Sequence, residues 1–402
     1  MIAATAPPPP RLRHSGMAVA ALFFVNGATF SNWLPRIPEI RDRLGLGNAG
    51  LGATLLGGGL GGIIGSMLVA RAMDRLGSRR LLMLAAGLLS IGLPLIALVP
   101  KAVLLLLVLT ALGMLDVFND VAMNAQGVIV QQRLGRSIMN RLHAMWSLGF
   151  TGGALVGSAA AAAGIGVRVH LAAVGAVLLA TVITVQRWLV PVDPPPNEPH
   201  PAPSGGDAAT AAAATAGSAQ AAHRWSRAGI AMACAALAAA ALEVTPNDWA
   251  AVLMRDVFHA GRNSGFGTVA CAGAMLVGRL AGDHVLDRVG EQRLLIGAIV
   301  LAGTGAFVTA VAPVTALALI GLVIWGLGLS VVFPQLYSAA ARVPGMSAGA
   351  GLGSMLLGQR LGGLLTAVSV GALAGWLDLR AAFAIVAGAA LAILIIAYPR
   401  RR

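Results

Sequence analysis

The sequence predicts an all-α membrane protein, with twelve transmembrane helices in two pseudo-symmetric six-helix bundles. Three observations predict it. Hydrophobic residues make up 57% of the 402 residues and charged residues only 11%, against about 25% charged in soluble domains. The apolar residues gather into long continuous segments, and the two halves of the chain repeat one another. So apolar a composition has no polar skin to cover it, so lipid must supply the outer layer. A disordered chain, a disulfide scaffold and most soluble enzymes are excluded on that ground.

The elements follow in order. Residues 1–16 hold Pro7 to Pro10, Arg11 and Arg13 and read as a short disordered leader. No small-residue cleavage site followed by soluble sequence comes after it, so it does not read as a signal peptide. Twelve apolar segments come next, at 17–35, 48–70, 81–99, 102–130, 143–164, 167–189, 226–253, 264–286, 292–311, 314–339, 347–375 and 378–398. Each is near the ~20 residues that cross ~30 Å of hydrocarbon. The runs are continuous rather than alternating, which disfavours a barrel. A single span in lipid must satisfy its own backbone hydrogen bonds, so each is a helix. Residues 191–225 are rich in Pro, Ala, Thr, Gly and Ser. They read as a linker between bundles at 17–190 and 226–398, and 399–402 as a basic tail.

The formal net charge of +13 does not point to nucleic acid. The 28 basic residues, only one of them lysine (Lys101), sit in short clusters beside apolar runs. No basic face with interleaved aromatics is present. With both termini on one side, that side carries eighteen arginines and the opposite loops eight basic residues. The positive-inside rule then places the termini and the linker in the cytoplasm. Cys234 and Cys271 lie inside apolar stretches without metal-ligand spacing and say nothing of redox compartment.

The halves repeat at a fixed offset. Gly65, Asp74, Arg75, Gly77, Arg80, Leu81 and Leu82 lie 213 residues before Gly278, Asp287, Arg288, Gly290, Arg293, Leu294 and Leu295. Asn32-Trp33 and Arg41-Asp42 are echoed by Asp248-Trp249 and Arg255-Asp256. Two such halves predict a parallel repeat with a cavity between them near mid-membrane. The segment DRLGSRR at 74–80 resembles motif A of the major facilitator superfamily, and DRVGEQR at 287–293 a weaker copy. Span count, linker and repeat extend the resemblance over 17–398. Within the superfamily, residues 26–46 and 120–128 resemble a bacterial branch related to the fucose-permease-like sugar transporters. The pattern is imperfect. The leading motif glycine is Ala70 and Asp283, and the first basic position is Ser78 and Glu291, which suggests a weaker second gate.

The resemblance implies gating by Asp74, Arg75, Gly77, Arg79 and Arg80, with Asp287 and Arg288 in the second copy. In the family, such an acid pairs with an arginine and a helix terminus of the other half. The plainer reading is that these arginines only fix orientation. In the fourth span, Asp116, Asn119, Asp120, Met123 and Asn124 share one helical face. A mid-span carboxylate costs ~3 kcal/mol or more unless paired or wet, so this face looks into protein or cavity. Two acids one turn apart repel when both are charged, a condition that suits a proton carrier; a structural hydrogen-bond network is the alternative. In the seventh span, Pro246 kinks the helix between Glu243 and Asp248; Glu243 is the deeper acid, suited to coupling or substrate, and Asp248 is suited either to that role or to simple capping at the outer interface. Arg360 is charged in mid-span and demands a carboxylate or an anionic ligand. It is expected to pair with Asp116, Asp120 or Glu243, or to take a substrate carboxylate.

Polar and aromatic stripes complete the candidates. Asn26, Thr29, Phe30 and Trp33 share a face of the first span, and His143, Trp146, Ser147, Phe150 and Thr151 a face of the fifth. Gln335 and Tyr337 follow Pro334, and Gln359 precedes Arg360. Substrate binding is assigned to Asn26, Phe30, Trp33, Asn119, Asn124, Trp146, Gln335 and Gln359, since rings and amides suit a sugar or polyol. Proton coupling is assigned to Asp116, Asp120, Glu243 and Arg360. Helix packing would use the same stripes. Walker A, G-x-S-x-G and HExxH patterns are absent, so the chain is expected to be no enzyme and to need no cofactor or metal. The expectation is a monomeric secondary transporter in the bacterial inner membrane, working by alternating access and proton-coupled symport, partnered by lipid, a small sugar-like solute and protons and not by nucleic acid. Proton-coupled drug efflux and a transporter-like sensor that moves nothing are the alternatives.

Overall fold

The structure, a computed structural model, describes residues 10–136, 138–190, 226–343 and 345–397. The linker at 191–225, the basic tail at 399–402 and most of the leader lie outside the described residues. The rest of the leader is not irregular. Helix α1 runs Pro10–Ser31, so it starts seven residues earlier than hydropathy alone suggests and stops four residues earlier. Beyond it, Pro35 and Pro38 open a 3₁₀ turn, Leu34–Arg36, and a short α2, Ile37–Arg43. Proline fits there because the first turn of a helix has no use for its missing N–H.

Helix α3 covers Asn48–Gly92, 45 residues, and α4 Leu95–Leu98 follows it. At 1.5 Å per residue α3 is roughly 68 Å long, twice a bilayer core. It makes two passes because Gly77 sits at φ 69°, ψ 163°, a conformation nearly closed to residues with a Cβ. The first half continues with α5 Ala102–Leu134, α6 Met139–Ala162 and α7 Val167–Val185. The second half holds α8 Arg227–Asp256, α9 Phe266–Val289, α10 Glu291–Val311, α11 Thr315–Leu329, α12 Val332–Ala340, α13 Ala348–Trp376 and α14 Leu379–Ala397. Ser226 and Ser347 cap α8 and α13 by accepting from the N–H of Gly229 and Ala350. The described residues contain helices and connecting turns and no strand.

Among the described residues, ten helical stretches are long and apolar enough to cross a membrane. One of them, Asn48–Leu98, is the two-pass stretch, and the less apolar α6 packs along α1 as a further crossing. That is consistent with the twelve expected. The repeat is visible in the backbone: Gly290 adopts φ 80°, ψ 161°, close to Gly77, and turns α9 into α10 as Gly77 turns the second pass into the third.

Glycine seams draw the helices together within each half. A Cβ on Gly61 of α3 would strike the backbone carbonyl of Thr110 in α5, and one on Gly358 of α13 that of Ala233 in α8. Without side chains between them the backbones touch, and dispersion rather than a hydrophobic effect supplies the attraction in lipid. The halves meet through α3 with α13 and through α6 with α9. Gly52 lies against Ala367 and Gly371, and Gly265 against Ser158. These contacts gather at the face bearing the 32–47 and 257–265 connections, here called the loop face, and reach inward to Gly62 against Arg360.

The Gly77 conformation makes a stability prediction. Gly77→Ala lowers the thermal unfolding temperature of the detergent-solubilised protein by the equivalent of about 1–3 kcal/mol. Gly297→Ala, in α10 with open space where the Cβ would go, leaves it unchanged or slightly raised.

Candidate functional site

A cavity of about 340 Å³ lies between the halves. Its polar wall is Asn26, Asp116, Glu243, Asp248, Gln359 and Arg360; Phe30, Trp33, Trp146 and Phe150 form an aromatic wall. Helices α1, α5 and α6 supply one side, and α8 and α13 the other.

Asn26 organises the first side. Its amide nitrogen donates to a carboxylate oxygen of Asp116 at 3.0 Å, and its carbonyl oxygen accepts from the indole N–H of Trp146 at 2.7 Å. One short side chain thereby ties α1 to both α5 and α6. Trp146 stacks on Phe150 at 5.3 Å between centroids, and Phe150 on Phe30 at 6.2 Å, both tilted by 26°. Phe30 is 44% exposed, so the stack presents an open ring at its end. The i, i+4 spacing of Trp146 and Phe150 on α6 puts the two rings over each other.

On the second side, Glu243 of α8 pairs with Arg279 of α9 at 3.5 Å. Arg279 also donates to the hydroxyl of Ser147 in α6, at 3.3 Å, so one guanidinium touches both halves. A smaller recess lies there, bounded by Trp146, Glu243 and Arg279. Sequence reasoning passed over Arg279, although it carried the same signal as Arg360: an arginine in the middle of an apolar run.

Two expectations about charges are corrected. Arg360 lines the cavity and lies over Gly62 of α3, but it forms no ion pair with Asp116, Asp120 or Glu243. It acts on Asp116 and Asp120 only through its field, and Glu243 is taken by Arg279 because α9 packs directly on α8. Asp248 is no interfacial cap. It lines the cavity and has no hydrogen-bond or ion-pair partner among the described residues.

The predicted site residues divide. Asn26, Phe30, Trp33, Asp116, Trp146, Glu243, Gln359 and Arg360 come together at the cavity. Asp120, Asn119, Asn124 and Gln335 do not line it. Asn124 donates to the Asp120 side chain at 3.0 Å. Asn119 and Gln335 are buried, each with an amide oxygen that has no partner. Asn119, Asp120 and Asn124 share the face that their spacing assigns, but the part of it that bears them does not reach the cavity. Gln359 accepts from the Tyr337 hydroxyl at 3.4 Å.

The gating residues sit elsewhere. Asp74, Arg75, Arg80, Asp287 and Arg288 are exposed, at the end of the molecule where Gly77 and Gly290 turn the chain. Arg79 donates to the carbonyl of Gln186 at 3.2 Å, within its own half. Neither Asp74 nor Asp287 forms an ion pair among the described residues, so the cross-half pairing expected of motif A is not made in this conformation. The ionic contact between halves is on the loop face. Arg41 of α2 is bidentate on Asp256 of α8, with one bond at 2.9 Å, and Arg255 of α8 pairs with Asp42 of α2 at 2.6 Å. The two repeat-related Arg-Asp dipeptides thus bind each other reciprocally. The sequence displayed the dipeptides as a repeat; that they face each other depends on the pseudo-twofold arrangement of the halves.

The family model for the Major Facilitator Superfamily matches residues 19–367. The chain is 28% identical to an uncharacterized MFS-type transporter of Yersinia pestis, over 91% of this chain and 90% of the relative. It is 27% identical to the uncharacterized transporter y4wD of Sinorhizobium fredii over 94% and 95%, and 26% identical to membrane protein MosC of Rhizobium meliloti over 83% and 77%. Among solved structures, the nucleoside transporter NupG superposes with a TM-score of 0.76 at 16% identity, covering 96% of this chain and 99% of NupG. A bacterial homolog of the lysosomal transporter Spinster, inward-facing and unoccupied, gives 0.71 at 15% identity, covering 97% and 96%. At these identities the likeness is one of fold.

The Asn26 junction is testable. Asn26→Leu strips a partner from both Asp116 and Trp146, at about 1–3 kcal/mol for each buried group left unsatisfied, and thermal unfolding in detergent falls accordingly. Asn26→Asp sets a second carboxylate against Asp116 and is at least as damaging when measured the same way.

Proposed function

The chain belongs to the Major Facilitator Superfamily, and from that premise we propose that this membrane transporter carries a small polar solute by alternating access, driven by protons. The observation that carries the reading is the shared cavity. Asp116, Glu243, Asp248 and Arg360 come from both halves and line one chamber between them, where a substrate can be reached from either face as the halves rock. A charge facing acyl chains costs several kcal/mol, and these charges have a cavity to face instead.

The aromatic stack beside Asn26 and Gln359 supports a sugar-like solute. Rings cover the apolar faces of a polyol, and amides answer its hydroxyls. The fucose-permease-like branch suggested by residues 26–46 and 120–128 agrees with that choice. Four charged side chains in the wall weigh against a purely apolar drug, and against a sealed sensor that moves nothing. Asp116 is the first candidate for the proton, held by Asn26 and in the field of Arg360.

The Arg41–Asp256 and Arg255–Asp42 pairs act as the latch of the loop face. Asp256 lies eight residues beyond Asp248 on α8, about 12 Å along the axis, on the loop-face side of the cavity. With that face shut, access is from the face carrying the termini. The excess of arginine there supports a cytoplasmic position for that face. In the opposite state the latch opens and Asp74 and Arg75 engage the other half.

Two outcomes test this. Solute accumulation in proteoliposomes requires an imposed pH gradient and is lost in Asp116→Asn; accumulation unchanged on collapsing the gradient removes proton coupling. For the latch, Arg41→Asp sets like charges together and removes at least about 1 kcal/mol, roughly fivefold in the balance of states. A cysteine at Ala367, buried against Gly52 of the other half and placed in a background without Cys234 and Cys271, then reacts faster with a membrane-impermeant maleimide supplied from the loop-face side. Adding Asp256→Arg restores slow labelling.

A further inference from the structure

Among the described residues, the deep charges in and around the chamber do not balance. Carboxylates are contributed by Asp116, Asp120, Glu243 and Asp248, guanidiniums only by Arg279 and Arg360. Most of these groups have a stated neighbour. Asp116 is held by Asn26, Asp120 by Asn124 and Glu243 by Arg279. Arg360 has no hydrogen-bond or ion-pair partner among the described residues, but two carboxylates, Asp116 and Asp120, lie near enough to offset its charge. Asp248 alone among the cavity carboxylates has no polar partner among the described residues. It nevertheless lines the same chamber as Phe30, Trp33 and Trp146.

An unpaired carboxylate in a site of low dielectric either takes up a proton or meets a positive partner, and one that lines an open chamber is placed to meet a positive visitor. Aromatic faces favour the same kind of visitor, since their quadrupole attracts cations. We infer that the transported solute bears a positively charged nitrogen, an ammonium on a compact polar or ring-bearing body, and that Asp248 is its counter-ion. This rests on the carrier reading and narrows it from a polar solute to a cationic one. The same position explains why α8 carries two acids five residues apart around Pro246. Glu243 is already neutralised by the protein, and Asp248 is left for the cargo. With Asp248 engaged by substrate, Asp116 remains free to take the proton.

Matched probes on common scaffolds test the assignment: glucosamine, glucose and glucuronate; tyramine, tyrosol and 4-hydroxyphenylacetate. Each is titrated against the purified full chain while thermal unfolding is followed. The expected result is stabilisation by an amine at a concentration about tenfold below that of its neutral and anionic counterparts. Asp248→Asn abolishes that preference, and Asp248→Glu, which keeps the charge, retains it. If a neutral or anionic member binds best, or if Asp248→Asn keeps the amine preference because the residue only exchanges protons, the assignment is overturned while the carrier reading stands. Silence from every amine also overturns it; the carrier reading is then judged separately by the uptake and labelling measurements.

Discussion

The structure depends on where a buried charge is tolerated. In a bilayer an ionised side chain costs several kcal/mol unless it meets a partner or water. Among the described residues, four carboxylates (Asp116, Asp120, Glu243 and Asp248) and two guanidiniums (Arg279 and Arg360) lie deep in the spans. Each helix that bears one must therefore turn it inward, and that requirement fixes the rotation of α5, α8, α9 and α13 about their own axes. The Asn26 bridge to Asp116 and Trp146 and the Glu243–Arg279 pair are consequences. So is the chamber itself, because inward-facing charges on both halves keep the centre polar while apolar side chains face out.

The glycine seams serve the same end from the packing side. Gly61 against Thr110 and Gly358 against Ala233 bring backbones into contact inside each half and make the halves stiff bodies. Across the halves the contacts are fewer and more polar: Ser147 with Arg279, and the reciprocal Arg-Asp pairs. Stiff bodies joined by a few polar contacts rock as units, as two-state carriers require.

Much of this was legible in the sequence, for physical reasons. Span number follows from hydropathy because lipid acts on every span alike. The turn at Gly77 and its copy at Gly290 were legible because a left-handed backbone leaves a glycine behind. Partners were harder to read. Which acid takes which arginine depends on how α9 packs on α8, and nothing in the spacing of Arg360 reveals that Arg279 reaches Glu243 first. Asn119 and Asn124 sit on the face that periodicity assigns, but periodicity does not say which helix lies over that face. The start of α1 was misplaced because Arg11, Arg13 and His14 lower local hydropathy without breaking a helix. Such residues stand at the membrane boundary, where lipid no longer selects against them.

The repeat links the gate to the chamber. An Arg-Asp dipeptide duplicated with its bundle is self-complementary across a pseudo-twofold axis: each arginine meets the other copy's aspartate. A duplication therefore creates a two-pair latch without further change in sequence. The motif around Asp74 is duplicated as well, but at the opposite end of the molecule, so rigid rocking cannot close both at once. The exposed Arg255–Asp42 pair is worth only about 0–1 kcal/mol, and the half-buried Arg41–Asp256 pair somewhat more. That weakness suits the task, because a latch much stronger than the binding of one solute would hold the carrier in a single state. The decision then falls to the charges in the chamber, where an unpaired carboxylate gains far more from its partner than any surface pair does.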